Sequence, residues 1–225
     1  VFALGKSETA AEKFRFTADN EIGIAGANYG TDGQVMTSGG AGAACAWEDA
    51  AGGGDLIRIL TTTISSAVAA VVFNSTYITS TYNNYLIIAT GMRPSNAADE
   101  IGILCSVDDG SNFATHLGSW RWQAMTNGAH GVSGDYAYMP FGGDIYSVSG
   151  YGNNSGYCWI LDANSTSEMK MMMGKSIASN NGSPYNPYAY DTAGRFASTS
   201  AINYIKVYNV NGNNISAGEV SLYGA

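Results

Sequence analysis

The stretch from Glu21 to Trp47, EIGIAGANYGTDGQVMTSGGAGAACAW, limits most strongly what this chain can fold into. Glycine interrupts it every few residues, and few of its side chains are large enough to build a core. The surrounding pattern still indicates short strands. KFRFTADNEIGI (13–24) predicts two strands about a turn, and GTDGQVMTS (30–38) predicts a turn followed by another strand.

These short strands carry too few large apolar residues to stabilise themselves. Ordering a residue costs on the order of 1 kcal/mol or more of conformational entropy, which burial of apolar surface must offset. We therefore expect residues 1–52 to form a stem that shares its core with other copies of the chain, intertwined as a homotrimer. The flexible sequence AGGGD (51–55) marks the joint to a second domain, residues 53–225.

Composition favours an all-β protein and excludes several classes of function. The chain of 225 residues contains 29 glycines, roughly twice the usual share, together with 15 tyrosines and only 12% charged residues. A net charge of −8 without a basic stripe argues against nucleic acid as a partner. No apolar run reaches the length of a membrane span, so we expect no membrane insertion. Since the sequence begins at Val1 rather than Met, we expect a processed chain or part of a longer one.

The second domain contains nine segments with strand character, separated by Asn-Gly, Asp-Gly and Asn-Asn turns. Their number and spacing predict an antiparallel β-sandwich of the jelly-roll kind. The Gly/Tyr/Ser-rich stretch 127–156 lacks periodicity and is expected to form exposed loops. The nine segments are 56–63, 67–73, 84–90, 100–107, 119–125, 157–163, 168–177, 202–210 and 218–224.

Residues capable of catalysis or metal binding are few and scattered. Glu100, Asp108 and Asp109 could hold a cation, but Asp-Asp-Gly is also an ordinary hairpin turn, which we favour. His116 and His130 lack ligand-forming neighbours, and Cys45, Cys105 and Cys158 predict buried free thiols. Asp135, Asp144 and Asp162 could supply a glycosidase pair, although nothing in the sequence brings two together. We therefore expect no enzyme, no cofactor and no metal.

Tyrosines set among Gly, Ser and Asn are the more informative candidates for binding. Rigid amphipathic rings beside small hydrogen-bonding residues suit a surface that contacts sugar or protein. The alternative is that many of them pack between strands or subunits. The candidate segments for receptor contact are the expected loop 127–156 and the Tyr/Asn/Pro-rich segment 181–190, also expected to be a loop. The candidate residues are Tyr136, Tyr138, Tyr146, Tyr151, Tyr185, Tyr188 and Tyr190.

The Gly-rich stretch closely resembles a segment found in bacteriophage tail-fibre and related virion proteins. In that family a short hairpin leads into a Gly-Thr-x-Gly-Gln-Val-Leu-Thr-Ser pattern, and a Gly/Ala run then ends in a Trp. Here Met36 replaces the usual Leu, and Cys45 stands where Pro is common. STYNNYLIIATGMRP (80–94), VDDGSNF (107–113) and the C-terminal INYIKVYNVNGNNISAGEVSLYGA (202–225) resemble later parts of the same group. The stem motif residues are Gly30, Gly33, Gln34, Val35 and Trp47.

The resemblance implies a virion structural protein: a trimeric phage tail fibre whose C-terminal head attaches to a glycan or protein on the host surface. Its other partners would be proteins of the phage tail or capsid. A capsid decoration or head-fibre protein is an alternative with the same stem, and a polysaccharide-degrading tailspike is a second. A tailspike would need a carboxylate pair in a groove.

Overall fold

The computed structural model describes residues 2–4, 11–49, 56–113, 116–124, 130–141, 145, 154–180 and 183–225. Every regular element among them is a β-strand, so the protein is all-β, as its composition predicts. The chain divides into two compact units, Val1–Asp55 and Leu56–Ala225. The predicted joint, residues 51–55, lies outside the described part of the chain.

The first unit contains a three-stranded antiparallel sheet and a separate hairpin. The predicted pair of strands in 13–24 is confirmed, since Phe14 lies opposite Ile24 and Phe16 opposite Ile22. A strand at Ala46–Asp49, which the Gly/Ala run obscured in the sequence, pairs with the predicted strand at Gln34–Thr37. The strands are β1 (Phe2–Leu4), β2 (Ala11–Phe16), β3 (Ile22–Ile24), β4 (Gln34–Thr37) and β5 (Ala46–Asp49).

The second unit is a sandwich of two antiparallel sheets, and all nine predicted strand segments contribute a strand to it. The Met-rich segment 168–177, helical by propensity alone, is a strand as its flanks suggest. The strands are β6 (Ile57–Ile64), β7 (Ala70–Phe73), β8 (Tyr85–Pro94), β9 (Ile101–Ser106), β10 (His116–Ala124), β11 (His130–Tyr136), β12 (Met139–Pro140), β13 (Asn154–Leu161), β14 (Lys170–Asn180), β15 (Ser183–Phe196), β16 (Tyr204–Asn209) and β17 (Ile215–Gly224).

The larger sheet has the strand order β11-β10-β15-β14-β13-β8-β17-β6, and the smaller has the order β12-β9-β16-β7. Strands of both sheets alternate between buried and exposed positions, which gives each sheet an inner and an outer face. The inner faces enclose one hydrophobic core, in which Phe73, Ile87, Ile103, Ile160 and Ile205 are completely buried. This unit therefore contains its own core.

Two loop predictions were wrong. Within 127–156, β11 and β12 are strands, and Phe141 and Ile145 are buried in the core. The segment 181–190 forms much of β15 rather than a loop. Pro187 lies within this strand, opposite Ser179 of β14. Pairing along the sheet outweighs the weak local pattern.

Candidate functional site

Four of the seven candidate tyrosines have described side chains. Tyr136 and Tyr188 are half-buried, whereas Tyr138 and Tyr190 are buried, with 8% and 4% of their surface exposed. Tyr190 belongs to the core of the sandwich, whereas Tyr138 is covered by the neighbouring rings of Tyr136 and Tyr208. Tyr146 and Tyr151 lie outside the described residues, and of Tyr185 only the backbone, within β15, is described.

Tyr136, the last residue of β11 in the larger sheet, and Tyr138 begin a continuous row of rings that extends along the outer face of the smaller sheet. Strand β16 supplies the middle of this row, because Ile205 and Val207 point into the core and the residues between and beside them point outward. We call the row the aromatic ladder. In spatial order it consists of Tyr136, Tyr138, Tyr208, Lys206, Phe113 and Tyr204.

The rings of the ladder contact one another in sequence. The centroids of Tyr136 and Tyr138 are 5.2 Å apart, and those of Tyr138 and Tyr208 are 6.5 Å apart with the rings nearly perpendicular. At the other end, the Phe113 and Tyr204 centroids are 6.0 Å apart in an edge-to-face arrangement. Distances and angles of this kind are favourable for aromatic pairs and hold the rings in fixed orientations.

Lys206 joins the two halves of the ladder. Its Nζ lies 5.0 Å from the centroid of Tyr208 and 5.4 Å from that of Phe113. Both distances are within the range of cation–π attraction, so the ammonium group stabilises the row while its alkyl stem covers the sheet. The ladder thus combines an apolar surface with one positive charge.

Glycines form the floor beneath two of the rings. A Cβ atom on Gly102 would lie 2.8 Å from the Tyr138 ring, and one on Gly110 would lie 2.7 Å from the Tyr204 ring. Real Cβ atoms do not approach that closely, so the two rings lie against bare backbone. The absence of side chains at these two positions sets how close the ladder lies to the sheet.

A buried hydroxyl anchors the ladder at one end. The Tyr138 hydroxyl donates a hydrogen bond to the Glu100 carboxylate. The pKa of Tyr138 is raised above its usual value. Burial is the largest cause, and this hydrogen bond is the next largest. Burial also raises the pKa of Tyr208. Both phenols therefore keep their protons at neutral pH and can donate hydrogen bonds.

The predicted Asp-Asp-Gly turn is confirmed and lies beside the other end of the ladder. Asp108 accepts hydrogen bonds from the Ser106 hydroxyl at 2.5 Å and from the backbone nitrogen of Asn112 at 2.9 Å. These hydrogen bonds, that of Ser106 foremost, lower the pKa of Asp108 to about 2. Asp109 accepts a bond from the Ser75 backbone. The carboxylates thus order the turn that carries Phe113.

The other candidates for chemistry are two buried or exposed residues that the structure describes and three whose side chains it does not. Asp162 is exposed in a turn, and the side chains of Asp135, Asp144 and His130 lie outside the described residues. His116 is buried, with its Nε2 accepting a hydrogen bond from the Cys105 backbone. In the described part of the chain, no group of three His, Cys, Asp or Glu side chains could hold a metal ion.

The cysteines follow the prediction only in part. All three are free, and Cys105 and Cys158 are buried, but Cys45 is half-buried. Burial raises the pKa of the Cys158 thiol to about 12, and it raises that of Cys105 as well. Both core thiols are therefore protonated and unreactive at neutral pH.

The stem motif residues cluster around Trp47. Its Nε1 donates to the Asn28 carbonyl at 3.1 Å, and its ring lies over Gly30, where a Cβ would be 2.9 Å away. Gln34 accepts from the Thr31 backbone and donates to Asp49. Gly30 and Gly33 both have positive φ, at 72° and 89°, a conformation that glycine adopts without strain. The other motif residue, Val35, is exposed.

Three residues of the ladder, Tyr204, Lys206 and Tyr208, were not predicted as binding residues, although the sequence contained a signal for them. In INYIKVYNV, Tyr204, Lys206 and Tyr208 alternate with apolar residues, which places all three on one strand face. That these residues meet Phe113 and Tyr138 depends on strand order, because β9 lies between β12 and β16 only in the folded sheet.

Comparison with protein-family models, with curated proteins and with solved structures finds no match to this chain. Within the described residues, no helix is long and apolar enough to cross a membrane. What the geometry offers chemically is a fixed row of aromatic rings, phenolic donors and one ammonium group, which can stack on a ligand and hydrogen-bond to it.

Proposed function

We propose that this protein is a homotrimeric fibre protein of a bacteriophage virion, whose second unit attaches to saccharides on the host surface. The observation that carries the attachment is the aromatic ladder. Sugar rings present flat C–H surfaces that stack on aromatic faces, while their hydroxyls pair with phenols and carboxylates at the edges. The ladder supplies the rings, and Glu100 beside Tyr138 supplies an acceptor.

The charge of the chain favours a neutral saccharide. A net charge of −8 repels polyanions, and the ladder contributes only Lys206 as a cation. Each site of this size binds weakly. Several copies on one fibre, and several fibres on one virion, multiply such affinities without new contacts.

The first unit supports the fibre part of the proposal. Among residues 11–49 only Gly23 and Ile24 are buried, and Phe16 exposes 58% of its surface. Phe14, Val35 and Met36 are exposed as well. A segment with so small a core needs further apolar partners, and two additional copies of the same segment would provide them.

Binding to immobilised neutral oligosaccharides tests the attachment. We expect Tyr208→Ala and Tyr204→Ala each to weaken binding by about tenfold, because each removes one stacking surface. Tyr208→Phe retains the ring and should retain most of the affinity. Val72→Ala, on the same outer face but without a ring, serves as the second control.

Two results would contradict the proposal. Binding that survives loss of both tyrosines would place the contact elsewhere on the protein. Shortening of the oligosaccharides during the assay would indicate a depolymerase in place of an adhesin. The native mass of the purified chain tests the trimer separately.

A further inference from the structure

The outer face of the larger sheet is strongly apolar at its centre. Its outward side chains lie in register across three neighbouring strands, β8, β13 and β14, so that Leu86 faces Trp159, and Trp159 faces Met173. Met171 and Met173 expose 55% and 52% of their surface. We call this surface the apolar face. It consists of Leu86, Ile88, Tyr157, Trp159, Leu161, Met171, Met173 and Ile177.

Two shallow depressions cross this surface. One, of about 530 Å³, lies between β8 and β13 and is lined by Leu86, Ile88 and Trp159 among others. A second, of about 410 Å³, lies next to Met173 and Leu161. Depressions lined by apolar side chains accept protruding side chains from another surface.

Polar residues flank the apolar face on both sides. Towards one edge of the sheet, Thr61 and Ser221 share a hydrogen bond of 2.7 Å on β6 and β17. Towards the other, Asp191 on β15 forms an exposed ion pair of 2.8 Å with Lys175, the one charged residue between Met173 and Ile177 on β14, and Arg121 lies opposite Asp191 in register. An apolar centre within a polar rim is the pattern of a protein–protein interface.

We propose that the apolar face is the contact between the second units of neighbouring copies of this chain. Opposite edges of the face carry opposite charges, Glu219 on β17 and Arg121 and Arg195 on β10 and β15, so one copy can place its Glu219 against Arg121 or Arg195 of another. Methionine and tryptophan are enriched in such interface centres. The inference rests on the proposed function in one respect. In the proposed trimer the first units hold three copies together, which brings their second units close to one another.

Methionine oxidation of the full chain by hydrogen peroxide, read by mass spectrometry, tests this contact. The rate of oxidation follows exposure of the thioether. Met92, Met139 and Met172 are buried in the sandwich and provide slow standards within the same molecule. A free methionine peptide provides the fast standard.

If copies cover the apolar face, Met171 and Met173 should oxidise about tenfold more slowly than the peptide, despite their exposure in one copy. Met173→Glu should restore fast oxidation of Met171, because a buried carboxylate in the contact disfavours it. Met173 lies outside the core, so this variant should fold. Val72→Glu, on the outer face of the other sheet, should leave Met171 protected.

Fast oxidation of Met171 and Met173 in a chain whose native mass is that of a trimer would overturn this contact and leave the fibre proposal intact. Protection that appears only after phosphatidylcholine vesicles are added would also overturn it, since lipid and not a second copy would then cover the surface. Loss of saccharide binding in Tyr208→Ala reports on the aromatic ladder alone, so the two proposals fail separately.

Discussion

The ammonium group of Lys170 donates a hydrogen bond of 2.6 Å to the carbonyl oxygen of Ser200, thirty residues further along the chain. The same group also bonds the carbonyls of Ser165, Glu168 and Ser198. Lys170 is completely buried, and burial lowers its pKa below the usual value. A single side chain thus fastens the loop before β14 to the loop after β15.

Lys170→Met should reduce the free energy of unfolding by about 2–4 kcal/mol. The variant removes the ammonium group, so the carbonyl oxygens that accept its hydrogen bonds lose their donor inside the protein. Lys175→Met is the matched control on the same strand. Its ion pair with Asp191 is solvent-exposed, so we expect a change of at most about 1 kcal/mol. Urea denaturation of both variants measures the difference. Equal losses would contradict the role of Lys170.

Gly174 is a second position where the fold tolerates little change. A Cβ there would lie 2.3 Å from the Tyr157 carbonyl oxygen on the neighbouring strand. Gly174→Ala should therefore force β13 and β14 apart and cost about 1–3 kcal/mol. Gly134→Ala places its methyl group 3.6 Å from Ser119 and should be tolerated. Thermal unfolding distinguishes the two variants, and an unchanged melting temperature for Gly174→Ala would refute the close approach.

Asp108 makes the stability of the second unit dependent on pH. Its pKa is lowered to about 2 in the folded protein, from an ordinary value of 3.8. The carboxylate therefore contributes stability above pH 3.8, and that contribution is lost as the pH falls towards 2. Asp108→Ala should be less stable than the unmodified chain at pH 6 and equally stable near pH 2.

Ser106→Ala removes the hydroxyl that donates to Asp108 and should give an intermediate effect on this pH dependence. The measurement is denaturant unfolding at several pH values between 2 and 6. A constant difference between Asp108→Ala and the unmodified chain over that range would show that the carboxylate does not act through its charge.

Removal of residues 1–52 should leave the second unit folded. Its core cluster comes entirely from residues between Ile64 and Leu222 and needs nothing from the first unit. We expect cooperative unfolding to persist and the native mass of a trimer to be lost at nanomolar concentration. The isolated peptide 1–52 should show little β-structure in far-UV circular dichroism. A stable monomeric peptide would contradict the shared core.

The sequence by itself determined the all-β class, the antiparallel sandwich and the approximate positions of nine strands. These features depend on local patterns: alternation in INYIKVYNV, turn residues such as Asp108–Gly110, and the scarcity of apolar residues before Trp47. The Met-rich strand could also be identified, because its flanking residues favour a strand although its own composition favours a helix.

The tertiary structure decided which residues meet. Tyr208 lies beside Tyr138 because β16 and β12 both adjoin β9, a strand order that no local pattern encodes. Likewise, the strand character of Ser183–Phe196 follows from its pairing with β14 and β10 rather than from its local sequence. Local sequence fixes which face of a strand a side chain occupies, but long-range pairing fixes its neighbours, since those contacts join residues far apart in the chain.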